Sequence, residues 1–378
     1  MRQAFVCFFP AFPPESGAGR VSYDLARFVP GESILIQLGS VDADWLDSTG
    51  LRVIQFAQGW DGRWGKLGGI FRFVRRIVER LEATQPDVVI LEGASWVLYH
   101  WWLLRAIRKR LPRVKVVYHA HNVEYLLRSD RHGVLVPKIT RFAEGALLRA
   151  VDHAFAVSDA DRDAFQSLYG TRPSLLPNGV DLSQFADVSE DAIAACRERY
   201  GLGSSTILFM GSYAYPPNRE AIDLLVNEVM PRVLERRPDA RLAIIGGEVP
   251  YRRDWLLSPG VIPDEWVAPF VSSCALSVAP IFSGSGTRLK IIESLAAGVP
   301  VVATPKGAEG LHLVGEGGLL LRSSVSGFIE SITGLLDDCD YRCGLRMRGA
   351  GRVARLFDWR GIAENFATEL RMMVSQSG

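Results

Sequence analysis

The residues best suited to chemistry fall in one short run, SGSGTRLKIIESLAAGVPVVAT, positions 283–304. Gly284 and Gly286 let a backbone approach a ligand closely, and Ser285, Thr287, Arg288 and Lys290 add hydroxyls and two cations to the same turn. A strand ending at Ala279 leads into this loop, and a helix starting near Thr287 carries Leu289, Ile292, Leu295 and Ala296 on its apolar face. The first N–H groups of a helix are unsatisfied and partly positive, so cations there disfavour the helix by about 0.3–1 kcal/mol each and an anion is favoured. A diphosphate is the physical candidate. Glu293 lies one to two turns further on, where a carboxylate can accept hydrogen bonds from the vicinal hydroxyls of a ribose. Residue types alone leave a second reading open, a solvated glycine loop with surface charges.

Elements that would position this loop alternate along the chain in two series. Apolar runs at 5–9, 34–38, 53–56, 87–91, 115–119 and 154–157 form the first set of expected strands, and those at 206–210, 241–245, 275–279, 300–303 and 318–321 form the second. Helical patterns lie between them, near 219–236, 288–297 and 325–337 in the second series. This α/β alternation predicts parallel sheets covered on both faces. Between the series, Pro177-Asn178-Gly179 is turn chemistry, which places a domain boundary near 180.

At 378 residues the chain is too long for one core, so two domains are expected. The formal net charge is +1, yet residues 1–180 hold 23 Lys and Arg against 18 Asp and Glu, and the remainder 20 against 24. No apolar run reaches the roughly 18 residues needed to span a bilayer, and the N-terminus lacks a signal-peptide cleavage pattern, so a cytoplasmic protein is expected. Five cysteines without C-x-x-C spacing read as buried small hydrophobes rather than disulfides or a zinc site. A nucleic-acid partner is not expected, because the basic residues lack interleaved aromatic platforms and the domain's net charge is small.

The segment SGSGTRLKIIESLAAGVPVVATPKGAEGL resembles the donor-binding segment of GT-B glycosyltransferases, in particular glycosyltransferase family 4. The stretch from ILFMGSYAYPPN to LAIIGG resembles the start of that family's C-terminal domain. YHAHNVEY and LLPNGVD resemble its N-domain histidine loop and its hinge. The resemblance covers nearly the whole chain. It implies two Rossmann-like domains facing across a cleft: residues 1–180, with a C-terminal helix at 358–378 packing back on them through Trp359, for the acceptor, and 181–357 for the donor.

By the same resemblance the donor is a nucleotide diphosphate sugar carrying UDP or GDP, with no cofactor and no catalytic metal. Gly211, Ser212 and Asn218 would lie at the phosphates, and Gly260, Val261 and Ile262 at the base. Glu293 corresponds to the second glutamate of the family's E-x7-E motif. The first would fall at Ser285, a departure that leaves the sugar's contacts to Gly284, Ser285, Gly286 and Thr287. Arg288 and Lys290 would stabilise the leaving diphosphate, and His121 would hold the donor sugar, in a same-face displacement with retention of configuration. Ser16, Gly17, Gly19, Arg20, Asn122 and Glu124 are acceptor-side candidates, the acceptor being a glycan or a lipid-linked sugar in surface polysaccharide or glycolipid synthesis. A nucleotide-sugar epimerase and a noncatalytic carbohydrate-binding descendant are the alternatives on the same fold.

Three patterns have simpler readings beside the functional one. Asp42 and Asp44 imitate a metal-binding D-x-D, and Asp159, Asp161 and Asp163 a calcium loop, but Ala164 replaces that loop's glycine and Ser158 suits a helix cap instead. Arg72, Arg75, Arg76 and Arg80 beside Phe71, Phe73, Val74 and Ile77, with a second basic cluster at 105–113, fit either a sheet-covering helix or peripheral contact with an anionic membrane surface.

Overall fold

Uninterrupted apolar runs can be strands only where both faces of a sheet are covered, and that is how this chain folds. The computed structural model describes residues 1–14, 16–57, 62–93, 97–129, 133–283, 289–311, 313 and 317–375, without the side chains of 62–68. Two compact units result, residues 1–178 with 359–378, and residues 179–358.

The first unit has strands β1 (Arg2–Cys7), β2 (Glu32–Gly39), β3 (Ala43–Leu46), β4 (Arg52–Ala57), β5 (Val88–Glu92), β6 (Lys115–Ala120), β7 (His153–Ala156) and β8 (Ser174–Leu175). Their spatial order is β3-β4-β2-β1-β5-β6-β7-β8, parallel except for the antiparallel edge strand β3. Helices α1 (Gly17–Phe28), α2 (Gly62–Thr84), α3 (Val97–Arg110), α4 (Glu124–Ser129), α5 (Leu135–Ala150) and α6 (Asp159–Tyr169) connect them. Phe73, Ile77 and Leu81 of α2 and Leu103, Leu104 and Ile107 of α3 pack on Val6, Ile36, Leu91 and Tyr118. α2 is therefore a sheet-covering helix. Arg76 pairs with Asp42 and stacks on Phe56, and Arg80 pairs with Asp44, which also binds Arg52. Both aspartates are spent on arginines, whose hydrogen bonds hold their carboxyls below the usual range. Ser158 caps α6 by accepting from Asp161 N, and Gly170 ends that helix in the left-handed region.

The second unit holds a fully parallel sheet of β9 (Thr206–Met210), β10 (Arg241–Ile245), β11 (Leu256–Gly260), β12 (Leu276–Ala279), β13 (Val301–Ala303) and β14 (Leu319–Leu321), in the order β11-β10-β9-β12-β13-β14. Alternate side chains serve two cores. Ile207, Phe209 and Val278 meet Val229, Ile292 and Leu295 on one face, while Leu208, Met210 and Ile245 meet Cys196, Phe270 and Cys274 on the other.

Three strands escape the sequence pattern, β3, β8 and β11. β11 is LLSPG, which reads as a turn, but an edge strand tolerates a proline that cannot donate to the ladder. All five cysteines are free, yet Cys339 and Cys343 are exposed rather than buried, because they share the solvent face of the helix Cys339–Leu356. The last helix, Trp359–Ser375, belongs to the first unit and packs on α1, burying Trp359, Phe366 and Leu370. Trp359→Ala would leave a large void at 1% exposure, and unfolding free energy measured in urea should drop by about 3–5 kcal/mol.

Candidate functional site

In open parallel sheets, ligands gather at the C-terminal strand ends where the strand order reverses. In the first unit that point lies between β1 and β5, and it is polar. The registers set Gln55, Gln37, Cys7, Glu92 and His119 side by side in one row across β4, β2, β1, β5 and β6. Gln37 accepts from Ala11 N (2.9 Å) and Phe12 N (2.8 Å) and donates to Phe12 O (2.6 Å), so it pins the chain that leaves β1. That chain leads to Ser16, whose Oγ accepts from Gly19 N and caps α1. A Cβ on Gly19 would lie 3.1 Å from Pro10 O. Gly17 is in the same first turn, and Arg20 pairs with Asp24.

Glu92 is the centre of the row. It has no exposed surface, and its Oε2 accepts from Ser22 Oγ (2.7 Å), His119 Nδ1 (3.1 Å) and His121 Nε2 (2.6 Å). Burial alone would raise its pKa, but the electrostatic pull of His119 and hydrogen bonds from both imidazoles outweigh it and hold the carboxyl far below the usual range. Burial lowers the pKa of His121, more than its bond to Glu92 raises it. Near pH 7 that ring is neutral. A carboxylate only accepts, so Nε2 carries the hydrogen, and Nδ1 of His121 is left as an acceptor suited to a hydroxyl. Gly93 follows Glu92 because a Cβ there would sit 2.7 Å from His119 O and Tyr118 Oη.

Metal-ligating atoms of Glu92, His119 and His121 converge within 4.8 Å. Ligands of a tetrahedral zinc lie about 3.3 Å apart, wider than the 2.6 Å between Glu92 and His121, so these groups form a hydrogen-bonded cluster.

Beyond β6 the loop carries Asn122, whose buried Oδ1 has no hydrogen-bond partner among the described residues, and then α4. Glu124 is turned inward, its carboxylate on Arg128 (3.0 Å). The N-terminus of α4 is held from α5 by the buried Glu144, which accepts from Glu124 N (2.8 Å), Tyr125 N (3.2 Å) and Tyr169 Oη (2.5 Å). Desolvation, only partly offset by these bonds, pushes the Glu144 pKa up to about 7.

In the second unit the reversal lies between β9 and β12. Gly211 follows β9 with φ of 149°, and a Cβ there would lie 2.6 Å from Asn218 Nδ2 and 2.9 Å from Lys290 Nζ. Lys290 Nζ donates to Asn218 Oδ1 (2.9 Å) and stands 4.5 Å from the centre of the Phe209 ring, while Asn218 Nδ2 donates to Ser212 O (3.1 Å). Gly211, Ser212, Asn218 and Lys290 thus meet at one corner, reached from 72 positions apart. The helix Leu289–Ala296 carries Lys290 and the half-buried Glu293 one turn apart on one face. Gly284, Ser285, Gly286, Thr287 and Arg288 lie outside the described residues.

Beyond the corner an open pocket of about 400 Å³ is lined by Gly247, Val249, Arg252, Ser258, Gly260 and Val261. Val261 is 80% exposed there, whereas Ile262 is buried in the core beside Phe270, so its side chain is structural.

Two family profiles match the chain in tandem: Glycosyltransferase Family 4 over residues 16–184 and Glycosyl transferases group 1 over residues 204–338. A GDP-mannose-dependent alpha-(1-6)-phosphatidylinositol monomannoside mannosyltransferase of Mycolicibacterium smegmatis is 30% identical over 280 residues, 68% of this chain and 70% of that protein. The chain belongs to glycosyltransferase family 4. A phosphatidyl-myo-inositol mannosyltransferase of the same organism is 28% identical over 65% of this family 4 chain, a match that spans 61% of the relative's length. The family's GT-B fold is matched by sucrose-phosphate synthase from Thermosynechococcus elongatus, with a TM-score of 0.78 at 18% identity over 100% of both chains.

The sequence motifs point to His121 but not to Glu92, Ser22, Gln37 or Glu144. A lone acid closing the apolar strand VVILE just before a glycine was the available signal for Glu92. Glu92→Gln would set an amide N–H against an imidazole N–H, and the loss should reach about 3 kcal/mol in urea unfolding; a loss below about 1 kcal/mol would remove Glu92 as the holder of the cluster. For Glu144 the folded pKa exceeds the ordinary 4.5, so the stability it contributes is full below pH 4.5 and is lost as pH rises to about 7. Denaturant unfolding across that window should show this slope in the wild-type protein and a flatter one in Glu144→Gln.

Proposed function

We propose that this chain transfers a sugar from a nucleotide diphosphate sugar to a lipid-linked acceptor, at the inner face of the cytoplasmic membrane, with retention of configuration. The observation that carries this reading is the corner at the end of β9. A lysine held by Asn218 stands over a glycine whose conformation and surroundings exclude a side chain, at the strand reversal where phosphates bind in open α/β sheets. The mannosyltransferase relatives, one named as GDP-mannose-dependent and acting on a phosphatidylinositol mannoside, favour GDP-mannose as donor and a phosphoinositide-type acceptor.

In this reading Lys290, with Arg288, stabilises the charge that develops on the departing diphosphate, where fixed cations act most strongly. Glu293 accepts from the ribose hydroxyls, and the pocket at Gly260 and Val261 receives the base. His121, neutral and fixed by Glu92, accepts a hydroxyl of the sugar. The anomeric carbon loses its bond to the diphosphate oxygen and gains one to the acceptor oxygen on the same face. The acceptor's proton passes to the leaving diphosphate. Positioning by Ser16, Gly17, Gly19, Arg20, Asn122 and Glu124 belongs to the acceptor side.

Thermal-shift measurements with GDP, UDP, ADP and their sugar conjugates test the reading. One nucleotide at about 100 times its Kd should add about 2.7 kcal/mol to the binding unit. Lys290→Ala should weaken that nucleotide by about tenfold to a hundredfold, as expected for a charge-assisted bond, and Glu293→Ala and Gly211→Ala should abolish the shift. No response to any nucleotide would overturn the donor site.

A further inference from the structure

Exposed apolar side chains concentrate on one part of the first unit. Val134 (72% exposed), Leu135 (70%) and Phe142 (70%) stand at the start and middle of α5, with Ile139 between them and Leu126 on the adjoining α4. Positions 135, 139 and 142 follow helical spacing, so they form one stripe. The other exposed positions along α5 include Lys138, Arg141 and Arg149, and none is acidic. Among the described residues no ion pair engages these three cations. The acids of both helices, Glu124 and Glu144, are buried and turned to structural work. Elsewhere most cations of the basic helices meet acids: Arg75, Arg76 and Arg80 on α2 meet Glu79, Asp42 and Asp44, and Arg108 and Arg110 on α3 meet Asp152 and Glu82.

We infer that the α4–α5 face docks this protein on an anionic lipid bilayer, an inference that rests on the lipid-linked acceptor proposed above. Charge complementarity selects the occupant. Two copies meeting through this face about a twofold axis would oppose cation to cation, whereas an interfacial helix wants apolar side chains flanked by Lys and Arg and free of acids. Each cation near such a surface strengthens binding about fivefold. The face also reaches the proposed acceptor side directly. α4 begins three residues after His121, and Glu144 ties it to α5, so a bilayer held by α5 is linked to the histidine loop by two backbone hydrogen bonds.

The full chain is tested by co-sedimentation with vesicles of equal parts phosphatidylglycerol and phosphatidylcholine, and with phosphatidylcholine alone. The wild-type protein should bind the anionic vesicles, less so at high salt, and leave the neutral ones in solution. Lys138→Gln with Arg141→Gln should cut partitioning about thirtyfold, and Leu135→Ser with Phe142→Ser should weaken it at every salt concentration, while Arg75→Gln on α2 changes it little. Nucleotide thermal shifts should be unaltered in these variants, which keeps the two proposals separable. Absent vesicle binding with an intact nucleotide shift overturns the docking face and leaves the donor site standing, and the reverse result does the opposite. Self-association in sedimentation velocity that Phe142→Ser abolishes, with vesicle binding unaffected, would overturn the bilayer in favour of a second copy.

Discussion

An ionised carboxylate with no access to water is the constraint on which the first unit depends. Glu92 closes a strand that is otherwise apolar, and a buried charge is tolerated only when its lone pairs are satisfied. The donors come from α1 through Ser22 and from the end of β6 through His119 and His121. One charge therefore sets the placement of a helix against the sheet and the orientation of two imidazoles. His100 adds a bond to the backbone oxygen of the same residue, tying in α3. The polarity of the strand ends thus organises the loops around them, as Gln37 does for the chain that follows β1.

The same economy recurs one layer out. Glu144 supplies to α4 the acceptors that a helix N-terminus lacks, and α4 is only six residues long, too short to hold itself. Here desolvation outweighs the bonds and raises the pKa, the opposite of Glu92, because its partners are backbone N–H groups and a phenol rather than imidazoles. With its acids turned inward, this helix pair presents no acidic side chain to solvent among the described residues.

In the second unit backbone shape does what charge does in the first. Gly211, Gly246 and Gly247 all have positive φ, and side chains at the last two would press on the Gly211–Ser212 segment at 3.1–3.4 Å. Two loops after adjacent strands can therefore touch, and their closeness leaves room for Asn218 and Lys290 above Gly211. The diphosphate site proposed at this corner needs such bare backbone, since any side chain would occupy the place of the ligand.

Local pattern was enough to locate most strands, the cap at Ser158 and the family motifs, because each depends on neighbours a few positions away in the chain. It also pointed to Lys290, and the family resemblance to His121, as candidate site residues. It did not reveal what holds them. Glu92 meets donors 70, 27 and 29 positions distant, and Lys290 meets Asn218 across 72. Nor did it separate Arg76 and Arg80 of α2, paired with Asp42 and Asp44, from the cations of α5, which form no ion pair among the described residues. A charged side chain's protonation and availability depend on the partners and the water that packing leaves to it, and those are properties of strand register and helix contact rather than of adjacent residues.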